Sequence, residues 1–278
     1  MERSHRDVLG SGVRLRIYEQ GPADASVVVC LHSFFVDARA FTAVAGQLSD
    51  EYRVVCPDLP GHGESEKPPP SRFGYGVEAF ADALVKLYGA LGIRRAAIVG
   101  HGLGGSIAID LAARYPELVT RLILVDAICR PNPLVLGHRA SLLPVIGGIL
   151  YKQLLGRTLF RALFRDRLFG QNSQIPNSRI DAYFDSFNSP AGRGSTLATL
   201  RATADTRPVL AQTVRLNVPA LVIWGRRDRF QPASIGQRLS REIRSAGFEL
   251  LDAGHSPHEQ CPDELVRCIR RFLRAERP

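Results

Sequence analysis

No apolar run in this sequence reaches the roughly 18 residues that a membrane-spanning helix needs, so a transmembrane segment is not expected. The first residues, "MERSHRDVLGSG", hold no apolar stretch that could act as a secretory signal, and a soluble, cytoplasmic protein is expected. Cysteine is sparse: five in 278 residues, at spacings that match neither a metal site nor a disulfide framework. Cys30 and Cys56 sit in apolar runs, and Cys261 and Cys268 share one face of an expected helix, so all read as buried core thiols. Repeats and low-complexity tracts are missing, as are aromatic residues interleaved with basic ones and any nucleic-acid module; nucleic acid is not an expected partner. Nothing implies a metal or an organic cofactor.

What is present suits a globular chain. Hydrophobic residues make up 45% and charged residues 23%, ordinary values for a soluble domain, and the length allows one large domain or a domain with an insertion. The formal charge of +9 is unevenly spread: residues 127–207 hold eleven Arg and Lys against four Asp. Such a surplus attracts an anionic ligand, an acidic carrier or a membrane surface, or else is a solvated basic face. "YKQLLGRTLFRALFRDRLFG" (151–170) carries part of it, with Leu155, Leu159 and Leu163 on one side and Arg157, Arg161 and Arg165 on another. It is expected to set its leucines on the rest of the protein and its arginines in water; membrane-surface or carrier docking is the less favoured alternative.

Short apolar runs alternate with helical patterns. "VRLRIYE" (13–19) alternates as a half-wet strand should, whereas "SVVVCLH" (26–32) is continuous and β-branched, the mark of a strand buried on both faces. Runs at 52–58, 95–100, 121–127, 220–225 and 248–254 repeat the second type, and helices are expected at 39–49, 77–91, 105–114, 232–246 and 262–274. The alternation predicts an α/β fold, a mostly parallel twisted sheet with helices on both faces. It stops after 127 and resumes near 218. The expected division is a core of 1–127 and 208–278 and a helical cap of 128–207, roofing the carboxyl ends of the strands, where open parallel sheets bind ligands.

Those strand ends carry the candidate chemistry: "LHSFFVDARAF", "PDLPGHGES", "IVGHGLGGSIAI", "WGRRDRFQPAS" and "DAGHSPHEQCPDE". In this order they resemble the α/β-hydrolase superfamily over nearly the whole chain, especially capped members related to small esterases, monoacylglycerol lipases, carbon–carbon bond hydrolases and haloalkane dehalogenases. The resemblance implies an α/β-hydrolase fold with a helical cap insertion. It puts a strained nucleophile elbow at Gly100–Gly104, the acid at Asp228 and the base at His255. Asp228 would then fix the His255 tautomer and leave the other ring nitrogen free as a base. The alternatives are a loop carboxylate paired with Arg226, Arg227 or Arg229, and a surface histidine. Backbone N–H groups of Leu103 and Phe34 are the expected oxyanion donors, His101 and His62 are expected to support turns, and His258 to pack at the start of the last helix.

The chain departs from the family pattern twice. Gly102 stands where the nucleophile belongs, and Ser33 stands after His32 where glycine is usual. Ser33 reads as a local structural hydroxyl or as a group that binds a substrate oxygen. Ser106 is one helical turn on and is expected to point away. Loss of the nucleophile costs a triad enzyme on the order of a million-fold in turnover, so an efficient acyl-enzyme esterase is not expected, and no nearby serine clearly replaces the nucleophile. Three readings stay open: a His255–Asp228 general base acting without a covalent intermediate, in cyclisation, elimination, isomerisation or direct hydrolysis; a serine esterase whose nucleophile has become Gly102; and a non-catalytic binding protein. The expected ligand is a small to medium hydrophobic carbonyl or ester compound, anionic or carrier-borne if the basic segment contributes. Phe34, Phe35 and parts of 134–169 are its expected lining.

Overall fold

A computed structural model describes residues 4–10, 12–130, 148, 155–170, 173–244 and 246–275. Most of the proposed lining at 134–154 lies outside these residues. Eight strands form one sheet in the order β1-β2-β4-β3-β5-β6-β7-β8. They are β1 Ser4–Gly10, β2 Val13–Gln20, β3 Val27–Leu31, β4 Arg53–Pro57, β5 Ala96–His101, β6 Val119–Val125, β7 Ala220–Gly225 and β8 Gly247–Leu251. Pairing is antiparallel for β1–β2 and β2–β4 and parallel for the rest. β1 escaped the sequence reading because "SHRDVLG" is polar and lies at the wet edge, where no buried face imposes a pattern.

The continuous apolar strands are central, and their side chains divide by parity. Val29, Leu31, Ile98, Leu122, Leu124, Val222 and Trp224 point into one layer. Val28, Cys30, Ala97, Val99, Ile123, Val125 and Ile223 point into the other. α1 (Thr42–Leu48) packs on the second layer, and α2 (Val77–Leu91) and α3 (Leu103–Arg114) on the first. The run expected as one helix at 39–49 is a 3-10 turn followed by α1. Cys30, Cys56, Cys129 and Cys268 are buried and all five thiols are free.

Between β6 and β7 the described chain is helical: α4 Arg157–Leu163, a π-helical turn Phe164–Phe169, α5 Asn177–Phe187, α6 Pro190–Ala202 and α7 Arg207–Thr213. Ser189 caps α6 by accepting from Gly192 N at 3.0 Å, with Pro190 in the first turn. These helices have their own aromatic core, in which Phe160, Phe164, Phe169, Tyr183, Phe184 and Phe187 meet Phe35 from the loop after β3. The expectation for α4 is corrected here. Arg157 and Arg161 pair with Asp181 and Asp185 of α5, and Arg165 donates to Asn177 at 2.9 Å. Leu155 is buried, but Leu159 and Leu163 are about half exposed, at 48% and 45%. Phenylalanines, not leucines, set the buried face, because their larger area dominates burial. No helix among the described residues is long and apolar enough to cross a membrane.

The chain closes with α8 (Ala233–Glu242), α9 (Pro257–Gln260) and α10 (Pro262–Arg274). α10 has Asp263 and Glu264 in its first turn and Arg271 and Arg274 in its last, the arrangement the helix dipole favours. Gly236 of α8 lies flat against fully buried Trp224, and a methyl there would press onto the indole, 3.0 Å from its Cγ and closer to its ring carbons. Gly236→Ala should therefore destabilise the protein by about 1–3 kcal/mol despite alanine's better helix propensity, read as a lower urea midpoint.

Candidate active site

The strand order makes a switch point: the chain leaves β3 for β4 on one side and crosses to β5 on the other. In open parallel sheets ligands bind at such a point, beyond the carboxyl ends of the strands. The segments after β3 and β5 flank it, and β6, β7 and β8 end nearby.

The segment after β3 is held by buried polar groups. His32 Nε2 accepts from Leu59 N at 2.9 Å, so Nδ1 carries the proton and donates to Ser33 O at 2.8 Å. Asp58 accepts from Ala38 N and Glu64 N, both at 2.7 Å. Phe34 and Phe35 follow and are half-buried. Phe35 has φ +62°, an uncommon conformation for a bulky residue, and its ring lies 5.9 Å from Phe160 and 5.7 Å from Phe187. Phe34 packs on the core layer beside α3.

After β5 the chain turns sharply at Gly102, with φ +53° and ψ −113°, into α3. The turn needs small neighbours: a Cβ on Gly104 would sit 2.8 Å from Leu31 Cβ and nearer still to its carbonyl. Ser106 Oγ bonds back to Ile128 O. Ser33 approaches Gly102 from the segment after β3. Its hydroxyl accepts the Leu103 N–H at 3.1 Å, so the amide expected to meet a substrate oxyanion is already engaged. A Cβ on Gly102 would lie 2.7 Å from Ser33 Cβ, closer still to Ser33 Oγ, and 3.6 Å from His255 Nε2.

β7 and β8 deliver Asp228 and His255. Asp228 Oδ1 accepts from Phe230 N at 2.7 Å and Gln231 N at 2.8 Å, and Oδ2 accepts from His255 Nδ1 at 2.7 Å. The carboxylate is thus held by backbone on one oxygen and by the imidazole on the other, both side chains essentially buried. Two of the three arginines offered as its alternative partners go elsewhere: Arg227 to Asp252 and Arg229 to Asp166. The helices between β6 and β7 reach down to hold the histidine loop. His255 N donates to Leu168 O at 2.8 Å, Gln260 Nε2 to Phe169 O at 2.7 Å, and Tyr183 OH to Glu259 at 2.6 Å.

Behind the base lies a histidine stack. His101 Nε2 donates to His255 O at 2.7 Å, and the His101 ring lies 4.9 Å from that of His255 and 4.3 Å from that of His258. His258 stacks in turn on Phe41 at 4.8 Å. Burial, reinforced by the neighbouring histidines, holds His101 well below its ordinary value and His258 at about 3. His62 supports its turn as expected, with Nδ1 3.1 Å from Pro60 O.

Asp126, at the end of β6, is the residue that sequence reasoning missed. It is buried with φ +44°, and its Oδ1 accepts from Gly225 N at 2.9 Å. Burial first, then the neighbouring Asp228, push its carboxyl well above the ordinary range. The signal was there: "RLILVDA" ends a buried strand on a carboxylate. Asp126, Asp228 and His255 also bring three metal-type donors within 4.8 Å of one another. The imidazole Nδ1 and both Asp228 oxygens are already committed to the hydrogen bonds above, which suits a proton-holding array better than an ion.

Fold and site define an α/β protein with elbow, acid and histidine in order and no side chain on the elbow. The model of the alpha/beta hydrolase family matches residues 28–267, and the chain belongs to that family. It is 29% identical to the uncharacterized hydrolase YugF of Bacillus subtilis, over 89% of both chains. It is equally similar, at 29%, to the magnesium-chelatase 30 kDa subunit of Rhodobacter capsulatus, over 92% of this chain and 90% of that one. Among solved structures, the enol-lactonase from Burkholderia xenovorans LB400 superposes with a TM-score of 0.83 at 24% identity, over 97% of this chain and all of that one, a likeness of fold.

A histidine whose folded pKa is depressed adds stability above its unfolded value and loses it as pH falls toward the folded one. For His258 that window runs from the ordinary 6.5 down to about 3. The urea midpoint should drop between about pH 7 and about pH 4, and drop less in His258→Gln. At the elbow, Gly102→Ser combines an L side chain at positive φ with pressure on Ser33 and should cost about 1–3 kcal/mol. Ser33→Gly in the same chain should recover part of that loss in a thermal melt.

Proposed function

We propose that this member of the alpha/beta hydrolase family is an enzyme in which His255, oriented by Asp228, acts as a general base beside Gly102. The observation that carries the reading is the bond from His255 Nδ1 to Asp228 Oδ2, with Nε2 turned toward the space over Gly102. A binding protein has no need of a buried, backbone-anchored dyad. A positioned base contributes about 10² to 10⁴-fold, which suffices for cyclisation, elimination, isomerisation or hydrolysis of an activated substrate. The substrate class is a small to medium hydrophobic carbonyl or ester compound, in keeping with the aromatic residues Phe34, Phe35 and Phe230 near the site. Much of the basic character of α4 is spent on α5, which argues against a membrane surface or an acidic carrier as partner and for a free small molecule.

A second reading is a serine esterase whose nucleophile has been replaced by Gly102. The retained clearances at Gly100 and Gly104 favour it, since a turn this tight serves to display a side chain. Ser33 weighs on the other side, because it fills the space that side chain would use.

On a panel of p-nitrophenyl esters and lactones, His255→Ala should lower turnover by about 10² to 10⁴-fold, and Asp228→Asn should also lower it. Full activity in folded His255→Ala excludes the general-base reading.

A further inference from the structure

The two departures from the family pattern meet in space. Ser33 follows β3 and Gly102 follows β5, adjacent strands that bring the two residues side by side at the switch point. The volume that an elbow side chain would take is occupied by the Ser33 hydroxymethyl group, whose Cβ lies 2.7 Å from the position a Gly102 Cβ would have. His255 Nε2 is 3.6 Å from the same point. Ser33 is buried, and its Oγ accepts from Leu103 N at 3.1 Å, at the amino end of the twelve-residue helix α3. One segment has lost a side chain and the other has filled the space with a hydroxyl.

We propose that Ser33 is a relocated nucleophile, the hydroxyl on which His255 acts; the proposal rests on the general-base reading of the dyad. A serine side chain turns about one single bond among staggered positions. In the resting structure Oγ takes the Leu103 N–H. Turning toward His255 Nε2 places the hydroxyl on the base and frees that N–H for the carbonyl oxygen of an ester or lactone. Ser33 Oγ then attacks the acyl carbon while its proton passes to His255 Nε2, and the carbonyl oxygen becomes the oxyanion facing Leu103 N–H. Collapse breaks the bond from the acyl carbon to the alkoxy oxygen, which leaves as the alcohol with the proton from His255. Water repeats the sequence in reverse: it attacks the acyl group and gives a proton to His255, and Ser33 Oγ leaves and takes that proton back. The products are an acid and an alcohol, and water is the co-reactant.

The same geometry explains why glycine stands at the elbow. With Ser33 in this place, any Cβ on residue 102 overlaps it, so the two positions hold one hydroxyl between them. The arrangement differs from an empty elbow in a way that chemistry detects, since a fluorophosphonate forms a covalent bond only with an activated hydroxyl.

The test is fluorophosphonate labelling of the full chain, with the modified peptide located by mass spectrometry and p-nitrophenyl ester turnover measured in parallel. The expected result is a label on the peptide that contains Ser33. Ser33→Ala should remove the label and lower turnover at least 10³-fold, and Ser33→Cys should restore reactivity toward thiol-directed acylating agents. In the double variant Ser33→Gly, Gly102→Ser the label should move to the elbow peptide, which also shows that loss in the single variant is not misfolding. Absence of label from Ser33, or full turnover in Ser33→Ala, overturns the proposal. His255→Ala separates it from the reading it rests on. If that variant loses turnover while Ser33 never labels, the dyad stands and the relocated nucleophile falls; a label on Ser33 that survives His255→Ala removes the dyad instead.

Discussion

The buried hydrogen bond between His255 and Asp228 is held by groups from several separate elements of the molecule. Asp228 is gripped by two backbone N–H groups, so its carboxylate needs no cation and its second oxygen is free for the imidazole. The histidine is held from three sides: by its backbone N–H on Leu168, by its carbonyl on His101 and by its ring on Asp228. A buried ionised carboxylate is tolerable only when such bonds replace water. Asp126 shows the other solution to the same problem. Burial and the neighbouring Asp228 raise this second carboxyl well above its ordinary value, which favours its uncharged form.

Around that bond the parallel sheet supplies placement. Strands buried on both faces present no side chain to water along their length, so chemistry is confined to their carboxyl ends. The order of strands reverses between β3 and β5, and the backbone after those two parallel strands comes close enough for Ser33 and Leu103 to share a hydrogen bond across 70 residues of sequence. Positive φ at Gly102, Phe35 and Asp126 clusters at this rim. Strain of that kind persists only where surrounding contacts determine it, and here they do: the elbow is walled by Leu31, and the loop after β3 by His32 and Asp58.

The helices between β6 and β7 are tied to the site by specific contacts. Phe35 packs into their aromatic cluster, and the turn at Leu168 and Phe169 provides two of the carbonyls that fix the histidine loop. Arg179 lies between Tyr183 and Glu259 and donates to the Arg39 carbonyl, joining α5 to the histidine loop and to the segment after β3. The histidine loop and these helices are therefore bound together by specific contacts.

Much of this was legible in the sequence, and the reason is periodicity and order. Continuous β-branched runs specify central strands, glycine at 100, 104 and 105 specifies a turn too tight for larger residues, and acid and histidine at the last two strand ends specify a dyad. What escaped reading was whatever depends on a neighbour distant in sequence. The edge strand β1 has no pattern of its own because its partner, not its burial, makes it a strand. The face of α4 was misassigned because the acidic partners of its arginines lie on α5, some 20 residues on. The raised carboxyl of Asp126 follows from its burial and then from the proximity of Asp228, which no local signal reports. Gly102 and Ser33 stood in the sequence as two separate oddities. Only tertiary structure makes them one feature, because two residues compete for a volume only once the sheet has brought their strands side by side.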